Sequence, residues 1–310
     1  MAHPPVDDTL VASLIALMEQ GTAPWRREWD NTSGGHHVNL FTGRPYRGAN
    51  PILLTIGLHQ RGVSLPYWCG VGEAKAHGLH PRTGSKAVTV LRPQLRRKTR
   101  TGKAPEQAQP LETQRPKEEG TADIRWVRYA PVALFNAQDL EGESLAALIH
   151  SRQAGTGEAS RPEPERLAQA EAVLRQWPVP LQHGGPMAFY SPRADRIHLP
   201  ERRAFQSSAA LYATWAHEAL HSTGHPSRLA RNLDGCIGSA AYAREELVAE
   251  LGAVLLGDRL EIGSNVANHA AYLSEWIALL KESPKLLYRL LSEARQAADL
   301  ICPIAPSTTG

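Results

Sequence analysis

The chain has 310 residues, of which 42% are hydrophobic and 21% charged, a composition that supports a sizeable core and excludes a disordered chain. Its formal net charge of +3 is only mildly basic, so charge alone does not predict a nucleic-acid ligand. The sequence has no apolar run long enough to cross a bilayer, no signal-peptide pattern, and three cysteines without close pairing (Cys69, Cys236 and Cys302), which predicts a soluble, cytoplasmic protein without a membrane partner.

The first predicted elements are two helices, over residues 7–19 and 51–59, which flank a segment rich in aromatic residues and arginine. Aromatic rings stack on bases and arginines neutralise phosphates, so their interleaving is typical of a surface that binds single-stranded nucleic acid. The predicted DNA contacts in this segment are Trp25, Arg26, Arg27, Arg44, Tyr46, Arg47 and Asn50. The alternative is that the tryptophans belong to the core and the arginines are only solvated.

Two strands are predicted next, over residues 86–91 and 126–136, and we expect them to pair as a hairpin. Residues 94–123 between them are rich in Pro, Gln, Glu, Lys, Arg and Gly, which predicts a long mobile loop. Its first part is strongly basic and could follow phosphates, although a charge run is often only solvated. The predicted DNA contacts of this insert are Arg96, Arg97 and Lys98.

A stretch with little apolar content, residues 143–163, predicts a linker between two domains. The first domain would comprise residues 1–142 and the second residues 164–310. In the second domain, residues 187–199 predict a short hairpin directly before a helical run. Such a strand can border a cleft and pair with an extended substrate.

The helical run, residues 209–220, leads into the motif H-E-x-x-H. Residues four apart lie on the same face of a helix, so His217 and His221 can bind one metal ion. Glu218 can then take a proton from a water bound to that metal, which is the arrangement of zinc hydrolases. A chance occurrence of the motif is the alternative, but the helical context disfavours it because Ser207 can cap the helix.

A further ligand is needed for zinc, and the strongly helical run of residues 242–251 contains three glutamates. It resembles the thermolysin-like arrangement, in which a glutamate ligand on a second helix is followed four residues later by an acid that orients a ligand histidine. On this resemblance Glu246 is the third ligand, Glu250 orients a histidine, and Glu245 is the alternate ligand. His225 remains open as a runner-up ligand, a substrate contact or a helix cap.

Several segments, in order along nearly the whole chain, carry a resemblance to a known family. They are QGTAPW at residues 20–25, TGRPYRGAN at 42–50, LFNAQDL at 134–140, and HEALHSTGHPSRL at 217–229 with EELVAEL at 245–251. In combination they resemble the ArdC-type antirestriction proteins of conjugative plasmids. The N-terminal part is also similar to part of plasmid-encoded primases.

This resemblance implies an α+β protein with a small α+β N-terminal domain that binds single-stranded DNA and a mostly helical, zincin-like metallopeptidase domain that binds Zn²⁺. It also implies protection of incoming plasmid DNA from host restriction. Two classes of function stay open. One is a DNA-recruited peptidase that cleaves an unidentified protein substrate. The other is a binding module, a single-stranded DNA-coating or primase-associated plasmid-transfer protein whose zinc is structural.

Overall fold

The structure, a computed structural model, describes residues 6–21, 23–25, 35–98, 124–159, 162–264 and 272–304. The helices are α1 (Val6–Glu19), α2 (Asn50–Arg61), α3 (Val71–Ala76), α4 (Leu145–Ala159), α5 (Glu163–Gln176), α6 (Ser208–Ser222), α7 (Ala240–Leu260), α8 (Leu273–Glu282) and α9 (Leu286–Ile301). The strands are β1 (Val38–Asn39), β2 (Tyr67–Gly70), β3 (His80–Pro81), β4 (Val88–Lys98), β5 (Ile124–Asn136), β6 (Leu140–Glu141), β7 (Leu181–His183), β8 (Phe189–Ser191) and β9 (Arg196–Leu199). The predicted α+β class is confirmed, and no helix within the described ranges is long and apolar enough to span a membrane.

The N-terminal half contains a four-stranded sheet with the strand order β1-β2-β5-β4. Strands β4 and β5 pair as an antiparallel hairpin from Val88 opposite Leu134 to Lys98 opposite Ile124. The prediction of a mobile loop over residues 94–123 is therefore wrong for residues 94–98, which lie in β4. Their backbone groups are paired with β5, a tertiary contact that a polar composition does not reveal. Residues 99–123 lie outside the described residues.

The predicted linker, residues 143–163, is also mostly helical rather than extended, since α4 fills most of it. Leu145 is buried and Ile149 packs against the same apolar cluster, which includes residues of β1 and β2. The guanidinium of Arg152 donates from Nε to the carbonyl of Leu40 at 2.8 Å. A few apolar residues and one arginine are thus enough to dock this helix, although its mean composition is that of a linker.

One hydrophobic core joins the N-terminal helices to the C-terminal ones. Its N-terminal members include Val11, Leu14, Met18, Trp25, Ile52, Leu53 and Ile56. Its members from α7, α8 and α9 include Leu247, Leu251, Trp276, Leu287, Leu290 and Leu291. The rings of Trp25 and Trp276 lie 5.5 Å apart at its centre. The two halves of the chain therefore bury apolar surface against each other, unlike two domains that are joined only by a linker.

The C-terminal half adds a small sheet of order β7-β9-β8, which packs with α5 and α6 around a second core. Ser207 caps α6, because its side chain accepts a hydrogen bond from the backbone N–H of Ala210 at 3.1 Å. Helices α6 and α7 approach each other closely at Gly252, where a side-chain carbon would overlap Cδ1 of Leu220. This close approach brings together the polar side chains that the two helices carry.

Candidate metal centre

His217 and His221 lie one helical turn apart on α6 and face each other. Their Nε2 atoms are 3.2 Å apart, and both side chains are largely buried. The ring planes are nearly perpendicular, at 83°. Two imidazole nitrogens at this separation can share one cation, as the i, i+4 spacing on a helix predicts.

Glu246 reaches the same point from α7. Its Oε2 lies 3.7 Å from Nε2 of His217, and its Oε1 lies 3.6 Å from Nε2 of His221. One ligand atom from each of these three residues lies within 4.8 Å of the others. The structure thus brings together the three residues that the sequence suggested as metal ligands.

The charges around these residues favour a cation between them. Burial lowers the pKa of His221, but the neighbouring carboxylates of Glu245 and Glu246 outweigh it and raise that pKa well above its ordinary value. Burial raises the pKa of Glu246, but His217 and His221 outweigh it and lower that pKa. Two imidazoles and a carboxylate are donors that zinc and other divalent transition metals accept. Both the donor set and its spacing therefore fit a divalent metal ion.

Glu245 orients His221 and does not join the ligand group. Its Oε1 lies 3.2 Å from Nδ1 of His221, on the side of the ring away from Nε2. Arg231 donates two hydrogen bonds to the same carboxylate, from Nε to Oε2 at 2.8 Å and from Nη2 to Oε1 at 2.7 Å. Burial raises the pKa of Glu245, but Arg231 and His221 outweigh it and lower that pKa. The alternative of Glu245 as a ligand is therefore corrected, and Arg231 is a supporting residue that the sequence did not single out.

Glu250 lies beside the other histidine. Its Oε2 is 3.9 Å from Nδ1 of His217, and its Oε1 accepts a hydrogen bond from the indole Nε1 of Trp25 at 3.2 Å. Trp25 is only 1% exposed. The prediction that Trp25 stacks on DNA bases is therefore wrong, because its ring is enclosed in the core and its N–H is bound to a carboxylate.

Glu218, the proposed general base, is buried between α6 and β8. Burial raises the pKa of its carboxyl group, while the neighbouring His217 and His221 act in the opposite direction. The backbone of Tyr190 on β8 also lowers that pKa. A carboxylate with a raised pKa is a better proton acceptor, as general-base chemistry requires.

His225 is not part of the metal group. Helix α6 ends at Ser222, and the chain turns before His225 can align with the two ligand histidines. Its Nδ1 lies 2.7 Å from Oγ of Ser227 and accepts the backbone N–H of Ser227 at 3.2 Å. The runner-up assignment of His225 as a ligand is therefore corrected, because the local turn uses its ring.

A pair of tyrosine hydroxyls lies next to Glu246. The hydroxyl oxygens of Tyr242 on α7 and Tyr272 before α8 are 3.3 Å apart. Burial, the hydrogen bond to Tyr272 and the charge of Glu246 all raise the pKa of Tyr242, so it stays protonated and can donate. Tyr242 precedes Glu246 by four residues, and this helical spacing is the signal by which the sequence could have suggested it.

The predicted DNA contacts fall into different environments. Arg44 and Arg47 are exposed on the turn before α2. Tyr46 between them is half-buried, its hydroxyl donates to the carbonyl of Trp68 at 3.4 Å, and burial raises its pKa to about 12. Tyr46 is thus fixed by the fold, whereas the two arginines face solvent.

Asn50 has a structural role, and its predicted contact with DNA stays a prediction. Its Nδ2 donates to the carbonyl of Leu91 at 3.0 Å, and its Oδ1 accepts the N–H of Leu91 at 2.9 Å. The start of α2 is thereby fastened to β4. Arg96, Arg97 and Lys98 lie on β4, and Arg26 and Arg27 lie outside the described residues.

Comparisons with known proteins match both halves of the chain. Residues 5–132 match the N-terminal domain of anti-restriction factor ArdC, and residues 168–293 match a zincin-like metallopeptidase family. Two Escherichia coli proteins named DNA primase TraC are each 32% identical over 96% of this chain. The chain spans only 27% and 20% of their lengths. The protein y4eC of Sinorhizobium fredii is 27% identical over 94% of this chain and 90% of its own length.

Two solved structures are similar to the whole chain. They are the metal-free and the Mn(II)-bound crystal structures of the antirestriction ArdC protein from plasmid R388, each 28% identical, with TM-scores of 0.67 and 0.65. They match 95% and 96% of this chain and 96% and 97% of theirs. The zincin-like domain and the manganese-bound relative imply a divalent metal. The chain therefore belongs to the ArdC-type antirestriction family, with an ArdC N-terminal domain followed by a zincin-like metallopeptidase domain.

Proposed function

We propose that this protein binds single-stranded DNA and carries a zinc-dependent peptidase site, and that it protects incoming plasmid DNA from host restriction. The observation that carries the peptidase proposal is the convergence of His217, His221 and Glu246, with the buried Glu218 beside them. A structural metal site has no need of a carboxylate with a raised pKa next to its ligands. The substrate would be a protein present on or near the DNA.

The residues of the candidate metal centre would have separate roles in peptide hydrolysis. His217, His221 and Glu246 would hold the metal. When bound, zinc supplies a Lewis acid that activates water and takes up the negative charge that develops on a peptide carbonyl oxygen. Glu218 would accept the proton of the attacking water and deliver it to the leaving amine. Its burial supports this role because it raises the pKa of the carboxyl group.

The DNA-binding proposal is supported by exposed arginines of the N-terminal half. Arg44 and Arg47 precede the Asn50–Leu91 hydrogen bonds that join α2 to β4, and the exposed Arg92 follows Leu91 directly. We define these three arginines as the arginine surface. Arg96, Arg97 and Lys98 on the same strand, and Arg26 and Arg27, are further basic residues that would contact the DNA under this proposal. Such a surface would follow phosphates without strong sequence preference.

The peptidase proposal is tested by entry of unmodified plasmid DNA into a restricting host. Wild type, Glu218→Gln and the exposed control Glu201→Gln are compared at equal expression, with bound metal measured in each purified protein. We expect wild type and the control to protect, and Glu218→Gln to retain metal but lose protection. Equal protection by a metal-loaded Glu218→Gln protein would overturn the peptidase role.

A second candidate function is a DNA-coating or primase-associated protein with a structural metal. It is favoured by the TraC relatives, which are named primases and match both halves of this chain.

The double variant Arg44→Ala/Arg47→Ala should weaken binding to a single-stranded oligonucleotide and lower the slope of log affinity against log salt by about 0.7 per lost phosphate contact. Arg203→Ala, which removes an exposed arginine of the other half, is the control. If Arg44→Ala/Arg47→Ala has the affinity and salt slope of wild type, the arginine surface is refuted. If this double variant loses both DNA binding and protection while Glu218→Gln still protects, the second function is favoured.

A further inference from the structure

A hydrogen bond connects the N-terminal half of the chain to the candidate metal centre. Nε1 of Trp25 donates to Oε1 of Glu250 at 3.2 Å, across 225 positions of sequence. Both residues are 1% exposed. A buried carboxylate requires hydrogen-bond donors, and an indole is a donor only. The Trp25 side chain therefore holds the carboxyl group of Glu250 in one orientation.

The second oxygen of Glu250 points to a ligand histidine. Oε2 lies 3.9 Å from Nδ1 of His217, while Nε2 of the same ring faces His221 and Glu246. A histidine that binds a metal through one ring nitrogen is commonly oriented by a carboxylate at the other, and that carboxylate also increases the basicity of the ligand. Glu250 thus lies between the indole and the Nδ1 edge of His217, opposite the nitrogen that would bind the metal.

Trp25 itself is fixed by its surroundings. Its ring packs against Trp276 at 5.5 Å, and Trp276 is anchored by a hydrogen bond from its Nε1 to the carbonyl of Ala243 at 2.9 Å. Both rings lie in the core that α1 and α2 share with α7, α8 and α9. The indole can therefore hold Glu250 with little loss of side-chain freedom.

We propose that Trp25 is a positioning residue of the metal centre. Through Glu250, which faces Nδ1 of His217, it favours the ring orientation that presents Nε2 to the metal, so the N-terminal half contributes to metal affinity. The inference rests on the proposed binding of a metal by His217, His221 and Glu246. It concerns affinity, and it does not require that the bound metal be catalytic.

The test compares two tryptophan variants by competition for Zn²⁺ with a chromophoric chelator at neutral pH. Trp25→Phe keeps an aromatic ring but removes the N–H that binds Glu250, and we expect affinity to fall about tenfold, at the lower end of the range for outer partners of metal ligands. Trp276→Phe is the matched control, because it removes an indole N–H from the same core without touching Glu250. Because Trp276 packs against Trp25 but keeps its own N–H away from Glu250, we expect a clearly smaller loss of zinc affinity than in Trp25→Phe.

A double-mutant cycle separates this positioning role from general destabilisation. If Trp25 acts through Glu250, then Trp25→Phe should cause no further loss of zinc affinity in a Glu250→Gln background. Thermal unfolding of each protein identifies any variant that does not fold. If Trp25→Phe does not fold, the zinc affinity of Glu250→Gln with Trp25 intact shows whether Glu250 contributes to metal binding, and wild-type affinity in that variant would also overturn the inference. Wild-type affinity in Trp25→Phe, or equal losses in the two tryptophan variants, would overturn the inference. If wild type binds zinc but cleaves nothing, the peptidase proposal fails while this comparison still decides the role of Trp25.

Discussion

Replacing His36 by glutamine removes a cation that lies between two carboxylates of the other half of the chain. Nδ1 of His36 is 3.3 Å from Oδ1 of Asp258, and its Nε2 is 3.5 Å from Oε1 of Glu261. Asp258 lies in the last turn of α7, and Glu261 directly follows that helix. A protonated imidazole here therefore links the segment before β1 to the helix that carries Glu246.

The size of this effect follows from the pKa of His36. Burial lowers that pKa, but the carboxylates of Asp258 and Glu261 outweigh it and raise it from 6.5 to about 9. At about 1.4 kcal/mol per pKa unit, a shift of this size corresponds to at most about 3.4 kcal/mol. The side chain is 33% exposed, so screening by solvent reduces the expected contribution to about 1–2 kcal/mol. Because the folded state has the higher pKa, this stabilisation is complete below about pH 6.5 and is lost as the pH rises through about 9.

The assay is urea unfolding of wild type and His36→Gln at one pH below 6.5 and one above 9. Other groups titrate in this window, so only the difference in unfolding free energy between the two proteins is used. We expect this difference to shrink by about 1–2 kcal/mol at the higher pH. His80→Gln is the control, since His80 pairs with Glu141 at 3.1 Å but their side chains are 61% and 50% exposed. A difference between wild type and His36→Gln that is the same at both pH values would refute the reasoning.

Three further substitutions test supporting contacts. Glu245→Gln removes the negative charge that faces His221, so zinc affinity measured by chelator competition should fall about tenfold, and wild-type affinity would contradict this orienting role. Asn50→Ala removes both hydrogen bonds to Leu91, so urea unfolding should show a loss of about 1–3 kcal/mol. DNA affinity should not change in this variant, whereas a loss of DNA affinity without a loss of stability would support Asn50 as a DNA contact. Gly252→Ala places a methyl carbon on Cδ1 of Leu220, so this side chain of α6 must move, which should cost about 1–3 kcal/mol in thermal unfolding. A variant as stable as wild type would contradict the close packing of these helices.

The residues around the candidate metal centre show what local spacing predicts. His217 and His221 could be paired from the sequence because a helix places residues four apart on one face. Glu246 could be added only through the resemblance to the thermolysin-like arrangement, in which a glutamate ligand lies on a second helix. Arg231 could not be found in this way, since its role depends on Glu245, which approaches it only through the tertiary structure.

Trp25 was misassigned for the same physical reason. Alternating tryptophans and arginines suit a base-stacking surface and a core edge equally well, and composition does not distinguish the two. The two environments are distinguished by the hydrogen-bond partner of the indole N–H, which is Glu250 on α7, 225 positions away. The same limit applies to secondary structure. Residues 94–98 lie in β4 because their backbone pairs with β5, and α4 docks through a few apolar contacts, although both segments have a polar composition.

The core that α1 and α2 share with α7, α8 and α9 limits how genes for such proteins can recombine. An exchange of either half alone would leave apolar helix faces without their partners and Glu250 without its indole donor. Transfer of both halves as a single cassette preserves these contacts, wherever the cassette is inserted in a longer gene. The TraC relatives have this pattern, because the matched segment spans 96% of this chain within 27% and 20% of their lengths.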